Sequence, residues 1–195
     1  WVRPEWLDTR DAPVVVNVGA AWQSKRPSPR LLRELLRRLK NRVPLLLLWG
    51  NAAEEALARE ISGDTGTPLC PWLSFEDLLR LLLSARVLVT ADTLALHLAD
   101  LAGTLTVGLF GPTDPDRNGS LNPQSITLLP AIPCRGCYKR TCRGQSCMEG
   151  LSVGRMEQAV LALYERSDGT PGGFPDQGCV YPGRSLGPTV TPLAR

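Results

Sequence analysis

Histidine is almost absent from this chain: His97 is the only one in 195 residues. With no second histidine, and no Ser, His and Asp in a triad order, hydrolysis by a catalytic triad has no support. Long apolar runs are missing too. None approaches the ~18 residues that a membrane-crossing helix needs. No charged-then-apolar leader opens the chain, which starts Trp1-Val2-Arg3-Pro4-Glu5, so a cytoplasmic location is expected. An opening Trp in place of Met is expected of a fragment. No internal repeat is visible. The formal net charge is only +3, which permits anionic ligands without demanding nucleic acid.

What is present is an alternation of short apolar runs and amphipathic segments. The runs Pro13 to Val18, Pro44 to Trp49, Val87 to Val89, Thr104 to Phe110 and Ser125 to Leu129 have strand length and composition. Leu69-Cys70 is at most a further short strand. Between the runs lie helical patterns with recognisable starts. Ser28-Pro29 is an N-cap and N1 pair, and Leu31, Leu32, Leu35, Leu36 and Leu39 then share one face. A helix is expected from Asn51 to Ser62, with Glu54 and Glu55 in its first turn. Ser74 with Asp77 makes a capping-box-like start for a deeply apolar, buried helix over Leu78 to Leu83. A fourth helix ends at Gly103, and a last one runs from Ser152 to about Arg166. Such alternation predicts an α/β fold, a doubly wound, Rossmann-like parallel sheet with helices on both faces. The organisation expected is a linker over 1–12, one domain over 13–166 with a Cys-rich insertion at 133–147, and a disordered tail over 167–195, where Gly and Pro dominate.

In open parallel sheets ligands bind beyond the carboxyl ends of the strands. Two polar stretches fall there: Asp92-Thr93, where a strand hands over to a helix, and Gly111-Pro112-Thr113-Asp114 after the next strand. A helix N-terminus offers unpaired N–H groups and partial positive charge, which suit phosphate. Asp92 is open to two roles, ligand contact and helix capping. Lys25, preceded by Ser24, lies in the loop after the first strand, where a mobile ammonium can reach a pyrophosphate.

The pattern A-D-T-L-A-L-H-L-A-D-L-A-G-T over 91–104, followed by L-F-G-P-T-D-P over 109–115, resembles glycosyltransferase family 9, the heptosyltransferases of lipopolysaccharide core synthesis. The loop G-A-A-W-Q-S-K-R over 19–26 is similar to the family as well. The family usually has Gly and Pro where Leu94 and Ala95 stand, and often has hydroxyl residues where Ala20 and Ala21 stand. The resemblance implies the C-terminal half of a GT-B glycosyltransferase, binding a nucleotide-sugar donor such as ADP-heptose. It implies donor contacts from Ser24, Lys25, Glu54, Leu73, Asp92, Thr93 and His97. In it Lys25 meets the diphosphate, Glu54 the ribose diol, Leu73 the base, and His97 lies near the phosphates without acting as a base. Glu55 is the register alternative to Glu54. No catalytic residue is expected in this chain, because the family's base and acceptor site belong to an N-terminal domain. The acceptor implied is lipid A–core, reached at the inner face of the inner membrane by peripheral association. No cofactor is required for catalysis in this scheme.

Four of the six cysteines, Cys134, Cys137, Cys142 and Cys147, cluster at C-x2-C-x4-C-x4-C spacing, with Tyr138, Lys139, Arg140 and Arg143 among them. Structural zinc, disulfides and free thiols are all open to such a cluster, and a cytoplasmic setting disfavours disulfides. Family 9 members carry a similar cysteine segment. Two other functions compete with a donor-binding domain. One is a zinc-knuckle module that binds protein or nucleic acid, using the interleaved cations and the Arg-rich helix after Ser28. Asp92-Thr93 with the Gly-Pro-Thr-Asp loop speaks against it, so no stable nucleic-acid partner is expected. The other is an inactive, truncated glycosyltransferase remnant, suggested by Leu94 and Ala95.

Overall fold

The computed structural model describes residues 12–132, 134–142 and 146–166. The tail expected over 167–195, and all of the expected linker except Ala12, lie outside the described residues. Five strands form one all-parallel sheet: β1 (Val14–Asn17), β2 (Leu45–Leu48), β3 (Val87–Ala91), β4 (Leu105–Leu109) and β5 (Ile126–Leu128). Their order is β2-β1-β3-β4-β5. The register is regular, with Val16 opposite Leu47 on one side and Val89 on the other. Leu69 adds only an isolated bridge to Leu47.

Every residue of β1 and β3 is buried. A strand buried at consecutive positions is covered on both faces, which is why these strands read as unbroken apolar runs. The covering helices are α1 (Pro29–Leu39), α2 (Ala52–Thr65), α3 (Phe75–Ser84), α4 (Leu94–Ala102) and α7 (Val153–Arg166), with the single turns α5 (Pro115–Asn118) and α6 (Ser146–Glu149) between the last two. α1 packs on α7, and α3 packs on α4. On α1, Leu32, Leu35, Leu36 and Leu39 are fully buried, each contributing about 1.5–3 kcal/mol of transfer free energy. α3 departs from the expected deep burial: only Leu81 and Leu82 are buried, while Leu78, Leu79 and Leu83 are half-buried.

Local side chains set most helix starts. Ser28 Oγ accepts the Leu31 N–H at 3.3 Å, and Asn51 Oδ1 accepts that of Glu54 at 3.0 Å. Ser74 Oγ accepts the Asp77 N–H at 3.1 Å and donates to the Asp77 carboxylate at 2.7 Å. That second bond holds the Asp77 carboxyl below the usual carboxylate range. α2 runs three residues past the expected Ser62 and stops at Gly66, whose φ of 72° a side chain would strain. α4 differs from the others. Its N-cap is Thr93, not Asp92, and no side chain caps its first turn.

Candidate functional site

A parallel sheet of order 2-1-3-4-5 reverses its winding between β1 and β3, and a crevice opens there at the carboxyl ends. An open cleft of about 260 Å³ lies at this point. Asn17, Gly19 and Ala20 line it from β1, Gly50 and Glu54 from β2 and α2, and Asp92, Thr93 and Leu94 from β3 and α4.

Asn17 joins the two strand ends. Its amide donates to Thr90 Oγ1 at 3.1 Å and Thr93 Oγ1 at 3.4 Å, and its Oδ1 accepts the Gly19 N–H at 3.3 Å. Thr93 Oγ1 also lies 3.0 Å from Thr90 Oγ1. These bonds draw the Thr93 hydroxyl back toward the sheet and leave the α4 N-terminus free of a cap. Asn17 was not singled out from the sequence. Its signal was a lone amide in the apolar run P-V-V-V-N-V.

Lys25 closes a short 3-10 turn, Gln23–Lys25. Its Nζ lies 2.7 Å from Asp92 Oδ2 and 3.3 Å from the Asp92 carbonyl. Both side chains are largely buried, at 12% and 6% exposure. The same Nζ sits 4.2 Å from the centre of the Trp22 ring. The structure therefore brings the ammonium to the turn that begins α4. His97 stands beside this pair, its Nε2 at 3.8 Å from Asp92 Oδ1, beyond hydrogen-bond reach, with its side chain half-exposed.

Glu54 occupies the opposite end of the cleft. Its Oε2 accepts the Gly50 N–H at 2.9 Å, and its carboxylate covers Gly19. A Cβ added to Gly19 would meet the carboxylate atoms at 2.0 to 2.3 Å, so glycine is required for this approach. Glu55 is engaged elsewhere, paired with Arg59 at 2.6 Å. Leu73 does not line the cleft. It is half-buried against the core, and Leu78, one turn into α3, forms that wall instead.

Ser24 departs from the role expected of it. Its hydroxyl donates to the Lys139 carbonyl at 2.5 Å, its N–H donates to the Arg140 carbonyl at 3.2 Å, and its carbonyl lies 3.9 Å from Cys147 Sγ. Its one O–H proton is thus committed to the cysteine segment, away from the cleft. At its other end the segment is tied to the Gly-Pro-Thr loop. The Gly136 N–H donates to the Gly111 carbonyl at 2.9 Å, and the Tyr138 N–H to that of Pro112 at 2.7 Å. The cysteine segment is a strap between the Lys25 loop and the end of β4.

Among the described residues no group of three or more Cys, His, Asp or Glu side chains could hold a metal ion. Cys134 and Cys137 are exposed and Cys142 is half-buried. Cys147 turns inward, where its Sγ and Met148 Sδ fill the space a side chain on Gly111 would need. Burial pushes the Cys147 thiol up, with smaller upward contributions from Cys142 and Cys137. The cysteines among the described residues are all free thiols.

Two of the four arginines of α1, and Arg42 just beyond its end, are ion-paired. Arg33 pairs with Glu60 and Asp64, Arg38 with Glu34 and Glu157, and Arg42 with Glu157. These carboxylates raise the pKa of Arg33 and Arg38 and cancel part of the charge a nucleic acid would seek.

Residues 6–148 match the model of glycosyltransferase family 9 (heptosyltransferase). The chain belongs to glycosyltransferase family 9. It is 35% identical over 137 residues to lipopolysaccharide heptosyltransferase 1 of Pseudomonas aeruginosa, a match covering 69% of this chain and 39% of that protein. Among solved structures, the E. coli heptosyltransferase WaaC with ADP shares the fold at a TM-score of 0.65 and 22% identity, over 80% of this chain and 46% of that one. A family 9 glycosyltransferase from Veillonella parvula aligns at a TM-score of 0.68 and 17% identity, over 82% of this chain and 48% of that one. The fold is the Rossmann-like α/β fold of these GT-B heptosyltransferases. The chain thus spans less than half the length of these relatives. Among the described residues, no helix is long and apolar enough to cross a membrane.

Proposed function

We propose that this chain is the donor half of an inverting heptosyltransferase of lipopolysaccharide core synthesis, and that its cleft holds a nucleotide-sugar diphosphate of the ADP-heptose kind. The observation that carries the reading is the Lys25–Asp92 pair at the uncapped start of α4. An ammonium beside the uncapped start of a helix, at a turn whose Asp92 and Thr93 line the cleft, supports a diphosphate there. Glu54, at the other end, has one oxygen bonded to Gly50 and one without a hydrogen bond among the described residues. A carboxylate so placed accepts a ribose hydroxyl. A cleft of about 260 Å³ is at the small end for a ligand of this size, as one wall of a two-domain site should be.

Transfer would be an in-line displacement at the anomeric carbon by an acceptor hydroxyl. The bond to the diphosphate oxygen breaks, and the leaving group takes the electron pair. Lys25 and the α4 N-terminus stabilise the charge that develops there. The base that removes the acceptor proton, and the lipid A–core acceptor itself, belong to a second domain working at the inner face of the membrane. Leu94 is 59% exposed at the cleft mouth and restricts the approach of a ligand to the backbone.

Calorimetric titration of the chain with ADP, UDP and GDP tests this reading. Saturable binding of ADP in preference to the other two supports it. Indifference to all three removes it. A zinc-knuckle nucleic-acid module is disfavoured because no group of three or more Cys, His, Asp or Glu among the described residues could hold a metal ion, and because Arg33 and Arg38 of α1 are paired with carboxylates.

A further inference from the structure

Trp22 holds two cations. Lys25 Nζ lies 4.2 Å from the ring centre, and the Arg140 guanidinium carbon lies 5.5 Å from the same centre. This arrangement is fixed from the backbone. The Ser24 N–H bonds the Arg140 carbonyl at 3.2 Å, and the Ser24 hydroxyl bonds the carbonyl of Lys139 just before it. The indole attracts each cation, but the two repel one another. Among the described residues Lys25 has a carboxylate partner, Asp92, and Arg140 has none.

Charge in the cleft sharpens the point. The Lys25–Asp92 pair at the edge of the cleft sums to zero, and Glu54, which lines it, adds a negative charge. A diphosphate brings at least two more. Helix N–H groups alone balance that poorly, and a guanidinium fork suits two phosphate oxygens at once. We propose that Arg140 is a second cationic ligand of the nucleotide diphosphate, and that Trp22 is a positioning residue that aims it. The cysteine strap thereby contributes a binding side chain to the donor site. This rests on the donor-site reading above.

The test compares the chain with its Arg140→Gln and Trp22→Leu variants, with Arg37→Gln as a control of equal charge change on the exposed surface of α1. Each is titrated with ADP by calorimetry and with adenosine by ligand-observed NMR, after circular dichroism confirms the fold. Arg140→Gln should weaken ADP roughly tenfold, the scale of one charge-assisted contact, with adenosine unchanged. Trp22→Leu should weaken ADP less, and Arg37→Gln not at all. If the parent chain binds ADP and Arg140→Gln binds it equally well, Arg140 is no ligand and the donor site stands. Equal losses in Arg37→Gln and Arg140→Gln reduce the effect to overall charge and overturn the proposal. If the parent binds no ADP, the donor site and this inference both fall.

Discussion

Lys25 Nζ and Asp92 Oδ2 stand 2.7 Å apart, linking the loop after β1 to the turn after β3. Breaking a buried pair from one side leaves the other charge without compensation. Lys25→Ala should therefore lower stability by about 3 kcal/mol and ADP affinity at least tenfold. The double variant Lys25→Ala/Asp92→Ala should recover much of the stability and none of the affinity. Denaturant titration and calorimetry on the cycle decide it, and simply additive stability losses would show that the two groups are not coupled.

Gly19 lies directly beneath the Glu54 carboxylate. Gly19→Ala should swing the Glu54 carboxylate aside and cost about 1 kcal/mol, the scale of its lost hydrogen bond from Gly50. Nucleotide affinity should fall with it, because the ribose end of the cleft is disturbed. An alanine variant with parental melting temperature and parental ADP affinity would mean that Glu54 moves aside freely.

Ser24 separates two accounts of the same residue. As an anchor for the strap, Ser24→Ala should cost about 1 kcal/mol for the lost hydrogen bond to Lys139 and reduce ADP affinity far less than Lys25→Ala. A direct phosphate ligand would show the reverse: a large loss of affinity at unchanged stability. Thermal melts and ADP titrations of both variants distinguish them.

The cysteines should react according to their surroundings. Among the cysteines of the described residues, peptide mass spectrometry after iodoacetamide should find Cys134 and Cys137 modified first, and Cys70 and Cys147 only as the fold opens. Burial pushes the Cys70 thiol up to about 11 from its ordinary 9.0. Folding thus favours its neutral form. The unfolded chain releases this proton at lower pH, so the contribution is whole below pH 9 and lost as pH rises toward 11. Chemical denaturation of the chain and of Cys70→Ala across that window should show the shallower alkaline decline in the variant.

Much of the fold was legible because local chemistry wrote it. Strands covered on both faces must be apolar at every position, as Val14 to Val16 and Val87 to Val89 are. Ser28, Asn51 and Ser74 announce their helices because each side chain bonds an N–H of the first turn. Lys25 and Asp92 were legible as residues at adjoining strand ends. What stayed hidden depends on contacts between distant parts of the chain. Ser24 meets Lys139 across 115 positions, and Asn17 meets Thr90 across 73. No spacing rule carries such pairings. The inward turn of Cys147 onto Gly111 is of the same kind. The cysteine spacing left structural metal, disulfides and free thiols open, because spacing alone does not say which way each thiol turns.

The most direct test of the donor site is an amide-resolved NMR titration with ADP. Shifts concentrated at Gly19 to Lys25, at Gly50 and at Asp92 to Ala95 are the predicted result. Shifts confined to the arginine face of α1, or none at millimolar ADP, would contradict a diphosphate site between β1 and β3.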